Sequence, residues 1–304
     1  MCSWFMEQVS FSKLLITVFF CIIIMKQHNS FFLMIAVLLL CISCQPQTSD
    51  RPTITVTIEP LRYIAEQIAG DKFQVVTLVP NGSSPETYEP TAQQLVDLTH
   101  SELYIQVGEL GFERTWTKRL RANAQHLIVV DSSEGIHPID CSDHSCSDPH
   151  TWTSPTNVLQ IARNIYQAMV MIDKKDSIYF RSNLDSLCSK VIKIDAQIEN
   201  MLKNIPNRSF LIYHPALTYF AHDYQLRQLA LENEGKEPSA ASLKQLVAQA
   251  QQDSVHLMFV QKEFANRNVE TVCKATGAKQ VEINPLSYDW CGEMLKIAKS
   301  ICNQ

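Results

Sequence analysis

The sequence predicts an α/β protein in which two α/β lobes are joined by a long rigid backbone helix, leaving a cleft between them. Three observations carry this reading. Short β-branched runs alternate with helix-period segments over residues 53–130, and a second such series occupies 210–283. Between the two, Phe180, Leu184, Leu187, Val191, Ile194, Ile198 and Met201 step alternately by four and three residues. That is one apolar stripe on a helix roughly 30 Å or more in length.

In chain order, 53–58 is rich in β-branched residues and reads as a strand, 61–69 as a helix stopped by Gly70, and 73–79 as the next strand. Segments 91–98, 103–107 and 126–130 continue the alternation, which favours a largely parallel sheet over a sandwich. The polar stretch 135–148 reads as a loop. Ser154-Pro155 opens a helix whose buried face is Val158, Ile161, Ile165 and Met169. In the second series 210–213, 256–260 and 280–283 read as strands, and 240–250 and 264–276 as helices. The expected organisation is a leader over 1–43, a tether over 44–52, an N-terminal lobe over 53–175, the linking helix over 176–204 and a C-terminal lobe over 205–304. The same heptad-like stripe would also suit pairing with another chain; a bridge within a monomer is the preferred reading.

At 304 residues, 46% hydrophobic and 19% charged, the chain can bury proper cores and is neither disordered nor a disulfide-stapled miniature. A formal net charge of −5 leaves little basic surface for gripping nucleic acid. The cluster Arg114, Lys118, Arg119 and Arg121 reads as a solvated helix face.

The N-terminus has the architecture of an export signal. Lys26 is a small basic region, 31–40 an apolar core, and Leu40-Cys41-Ile42-Ser43-Cys44 resembles a bacterial lipobox, which makes Cys44 the lipidation site. An uncleaved anchor is the alternative. Met25 opens a complete signal by itself, so residues 1–24 are read as a start-site artefact. Beyond Cys44, six cysteines permit 15 full pairings among which sequence does not choose.

Three residues at element boundaries could carry chemistry: Glu86 in a turn-rich loop, His150 just before the Pro155 helix, and His214 just after a strand. Singly, each histidine reads equally as a cap or a packed ring, and Glu86 as a solvated carboxylate. Converging in a cleft, two imidazoles and a carboxylate would suit Zn2+. Binding needs neutral imidazoles, so affinity should fall as pH drops through about 6.5. No HExxH, GxSxG or glycine-rich phosphate loop appears, and the carboxylate is needed as a ligand, so an enzyme is not expected.

Pro85-Glu86-Thr87-Tyr88-Glu89-Pro90-Thr91, Asp148-Pro149-His150-Thr151-Trp152 and Tyr213-His214-Pro215-Ala216 resemble, in order, the signatures of the zinc/manganese ABC-transporter solute-binding proteins, the cluster A-I metal-binding lipoproteins. The likeness covers 53–302 and is greatest to the zinc-binding branch. It implies one metal ion in the inter-lobe cleft, His150 and His214 as ligands, and Glu86 where relatives usually have a third histidine. It implies high-affinity capture of zinc outside the cytoplasm, at the periplasmic or extracellular face, by a chain lipid-anchored to the membrane. Delivery would be to an ABC-transporter permease with its ATPase. Manganese is the alternative cargo, since Glu86 makes the site more anionic and harder; a metal-dependent surface adhesin is the alternative role. Relatives place an acidic ligand on the final loop where this chain has Asn284, so the fourth position falls to water or to Asp289 or Glu282. The loop with His137, Cys141, Asp143, His144 and Cys146 offers either auxiliary metal binding or a Cys141–Cys146 disulfide.

Overall fold

A computed structural model describes residues 51–140, 147–232, 238–261 and 267–304. The leader, Cys44, His144 and the Cys141–Cys146 pair lie outside the described residues. In the first lobe the order is β1 (Thr53–Val56), α1 (Glu59–Ala69), β2 (Gln74–Thr77), α2 (Ala92–Thr99), β3 (Leu103–Gln106), α3 (Gly111–Asn123) and β4 (Ile128–Asp131). A single 3-10 turn at Thr151–Thr153 leads into α4 (Pro155–Ile172), then α5 (Ser177–Leu202). The second lobe holds β5 (Ser209–Ile212), α6 (Thr218–Asp223), β6 (Arg227–Ala230), α7 (Ala240–Gln252), β7 (Leu257–Gln261), α8 (Arg267–Thr276), β8 (Lys279–Ile283) and α9 (Trp290–Cys302).

Each lobe is built on a four-stranded parallel sheet, ordered β2-β1-β3-β4 in the first and β6-β5-β7-β8 in the second. Ile54 pairs with Val75 on one side and Leu103 on the other; Leu211 pairs likewise with Leu229 and Met258. Every residue of β3 and of β7 is buried. That is expected of inner strands covered by helices on both faces, and it explains why their sequences run apolar rather than alternating. Loops at the C-terminal ends of such strands are where open α/β sheets form their sites.

Local chemistry sets the element ends. Ser154 caps α4 by accepting the Asn157 amide at 3.0 Å, with Pro155 in the first turn. Thr91 and Gln94 form a reciprocal capping box on α2. Gly70 stops α1 at φ 58°, and a Cβ there would collide with the Tyr179 ring from α5. Only glycine satisfies both demands.

The linking helix α5 buries Phe180, Leu184, Leu187, Val191, Ile194 and Ile198 against α1, α4 and α9. Each such side chain contributes roughly 1.5–3 kcal/mol relative to exposure. The exposed Arg181–Asp185 pair on the outer face contributes far less. The expected last member, Met201, is only half-buried, and Leu202 takes its place. A strict heptad drifts by about 20° per repeat on a 3.6-residue helix, so three heptads carry Met201 about 60° off the face. The fold therefore matches the two-lobed α/β expectation, with strand ends displaced by one or two residues: β1 to β3 are shorter than expected and β8 is one residue longer.

Candidate metal centre

Glu86, His150 and His214 come from three loops. Glu86 follows β2, His150 lies between β4 and α4, and His214 follows the inner strand β5. The structure brings them together: His150 Nε2 and His214 Nε2 are 3.2 Å apart. Glu86 Oε1 lies 3.3 Å from His214 Nε2 and 3.6 Å from His150 Nε2. For an ion with Zn–N and Zn–O distances of about 2.0–2.2 Å, tetrahedral geometry puts neighbouring ligand atoms about 3.3–3.6 Å apart. The observed edges fit that figure. Among the described residues, this is the one group of three or more His, Cys, Asp or Glu side chains whose donor atoms are close enough to share a cation.

Both imidazoles are held from behind. His150 Nδ1 lies 2.9 Å from Asp148 Oδ1, which also accepts the His150 amide at 2.8 Å. His214 Nδ1 lies 3.3 Å from Glu232 Oε2. A carboxylate on Nδ1–H fixes the ring and leaves the Nε2 lone pair for a cation. Gln261 steadies the His214 backbone by donating to its carbonyl at 2.9 Å. The sequence singles out neither Asp148, although it lies within a family-like motif, nor Glu232, which follows the short, mixed-polarity strand β6. A carboxylate two residues ahead of a candidate histidine was the available signal for Asp148.

Charge follows this geometry. Burial opposes ionisation of Glu86, but the His214 hydrogen bond and the charges of the two rings outweigh it and hold its pKa below the ordinary range. Burial likewise opposes the Asp148 anion, and the His150 and Thr218 interactions more than compensate. For His214, burial disfavours the cation, yet Glu232 and Glu86 together push its pKa from 6.5 up to about 9. For His214 this extends the expected proton competition upward, toward about 9.

The proposed additional ligands lie elsewhere. Asp289 is exposed and caps α9, accepting the Gly292 amide at 3.1 Å. Glu282 points outward from β8, whose inward residue is Ile283. His137 is exposed, with Nδ1 3.2 Å from the Pro138 carbonyl oxygen. Asn284 reaches the edge of the site, but its Oδ1 accepts from the Leu286 amide at 3.1 Å. Asp289 and Glu282 are thus committed to a cap and to a strand's outer face rather than to the trio, while the auxiliary loop that carries His137 lies partly outside the described residues. On the other side the trio opens into a cleft of about 810 Å³ between the lobes.

The sequence matches, over residues 54–301, the family described as ZnuA, zinc-uptake complex component A, periplasmic. The chain belongs to the ZnuA family. It is 25% identical over 286 residues to the high-affinity zinc uptake system protein ZnuA of Bacillus subtilis, covering 86% of this chain and 89% of that protein. It is 26% identical over 239 residues to the manganese ABC transporter substrate-binding lipoprotein PsaA of Streptococcus pneumoniae, covering 75% and 77%. A crystal structure of ZnuA superposes with a TM-score of 0.79 at 35% identity, covering 84% of this chain and 99% of that one. ZnuA-family members are solute-binding transport proteins, which places the two-lobed architecture in a transport setting.

Proposed function

We propose that this chain captures one divalent cation, zinc before manganese, between Glu86, His150 and His214, and hands it to the permease and ATPase of an ABC transporter. The observation that carries this is the trio's spacing, which matches the edges of a tetrahedral zinc shell. Membership of the ZnuA family supports the cargo, and a ZnuA deletion mutant of the same fold has been crystallised with zinc bound. Two imidazoles favour zinc along the usual affinity order. Manganese is the second reading: the Glu86 carboxylate hardens the donor set, and PsaA is a manganese relative.

Three protein donors leave a fourth position for water, which suits a carrier that must also let go. The chain acts as a monomer, lipid-anchored through Cys44 at the outer or periplasmic face of the membrane. Calorimetry of metal-stripped protein against Zn2+ and Mn2+ tests the reading. A stoichiometry near one, lost in the His150→Ala/His214→Ala double variant, supports it. Unchanged tight binding in that variant moves the site elsewhere, and tighter Mn2+ than Zn2+ binding changes the cargo.

A further inference from the structure

We propose that His150 is mechanically part of the C-terminal lobe, and that the cation leaves by loss of Glu86 from a stationary imidazole pair. This rests on the metal-binding reading of the trio and adds to it which ligand moves.

In sequence, His150 belongs with the first lobe, since its loop joins β4 to α4. Its side-chain and cross-lobe bonds place it otherwise. Tyr219 of α6 donates to the Asp148 carbonyl at 3.1 Å and accepts the Ile139 amide at 3.2 Å. Thr218 bonds the Asp148 carboxylate that orients His150. Trp152 donates its indole N–H to the Pro285 carbonyl at 2.9 Å, and Trp290 donates its own to the Trp152 carbonyl at 2.7 Å. Ser154 donates to Asp223. Against these stand, among the described residues, the Ser133–Thr151 side-chain bond at 2.8 Å and the Asp148 amide to Ile139 carbonyl bond at 2.8 Å. Trp152, Thr153 and Ser154 are essentially fully buried, so water cannot replace these bonds cheaply.

Glu86 is held differently. In 80–89 only Pro85 is buried. The hydrogen bonds of that loop stay within the first lobe, as in Ser83 amide to Pro80 carbonyl and Tyr88 hydroxyl to Gln94, apart from the Glu86 carboxylate itself. Against Asn284 and Leu286 of the second lobe the loop leaves small voids of about 30 and 10 Å³. Segments with few buried contacts and exposed backbone open at the lowest free energy. Movement of 80–89 therefore takes the carboxylate off the ion and admits water in its place. The His150–His214 pair stays on the second lobe and keeps the ion until an acceptor takes it.

Peptide-resolved hydrogen–deuterium exchange on the full chain tests this. In metal-free protein, 148–154 should exchange at least about tenfold more slowly than 80–89. Zinc should then slow 80–89 and leave 148–154 unchanged. Equal rates in the metal-free protein, protection gained at 148–154, or no protection of 80–89 by bound zinc each overturns the proposal. Tyr219→Phe keeps the ring and removes the hydroxyl that ties the Asp148 carbonyl and the Ile139 amide to α6. It should raise exchange at 148–154 and speed zinc transfer to a chelator; faster exchange with an unchanged transfer rate breaks the link between the two. Absence of any zinc binding by calorimetry is a failure of the function, not of the clamp, which the metal-free comparison still reads.

Discussion

The Nε2 atoms of His150 and His214 stand 3.2 Å apart although 64 residues separate them in the chain. Each ring is engaged through Nδ1 by a carboxylate, so both Nε2 lone pairs face one another and Glu86. Two neutral imidazoles repel in that geometry; a shared proton or a cation resolves it. Glu232 and Glu86 favour a proton on His214 in the metal-free protein, and an incoming ion then has to displace it.

Removing either imidazole should abolish tight binding. His150→Ala and His214→Ala are each expected to weaken zinc by more than the roughly 10–100-fold typical of losing an outer partner. Glu86→Gln keeps an oxygen donor without the charge and should fall within that range. Calorimetry on the three variants checks the order; a Glu86 effect exceeding both histidine effects contradicts it.

The architecture was legible because burial writes periodicity into sequence. The α5 stripe gave a helix that the structure places at Ser177–Leu202, and β-branched runs marked the strands. The charged cluster of α3 reads correctly as a solvated helix face, whereas β6, four residues of mixed polarity at a sheet edge, the short α6 and the C-terminal α9 are not picked out by the sequence. Element boundaries single out Glu86, His150 and His214, and the family signatures around them are what tie the three to one metal site. No spacing rule unites positions 86, 150 and 214; the ends of separate strands do. Glu232 carried no such signature, since its role exists only through the ring it touches.

Asp148→Asn and Glu232→Gln should each cost zinc affinity by about 10–100-fold while leaving the trio intact. Asp148 makes two short bonds to His150, at 2.9 and 2.8 Å, whereas Glu232 makes one at 3.3 Å. The Asp148 variant should therefore be the weaker binder of the two. Equal affinities in both variants and the parent would remove the orienting role.

The pH dependence has a definite sign. His214 has its folded pKa raised from 6.5 to about 9, so its stabilising contribution to the metal-free protein is fully present below about 6.5. That contribution is lost as pH rises through about 9. Zinc needs the proton off, so its affinity should strengthen over the same window, by about tenfold per pH unit below the folded pKa. At pH 7, calorimetry in buffers of different ionisation enthalpy should report about one proton released per zinc bound. A heat independent of buffer contradicts the protonated His214.

The linking helix offers a matched pair of substitutions. Val191 is 1% exposed in the stripe facing α1, α4 and α9, whereas its neighbour Ile192 is 55% exposed. Val191→Asp buries an unpaired carboxylate and loses packing at once, for an expected destabilisation of roughly 3–5 kcal/mol. Ile192→Asp faces solvent and should stay within about 0.5 kcal/mol of the parent. Urea unfolding of both variants in metal-free protein separates the two effects. Similar losses at 191 and 192 would mean that the helix presents a different face to the lobes. A large loss at 191 alone is the signature of a strut whose buried stripe holds both lobes in register around the site.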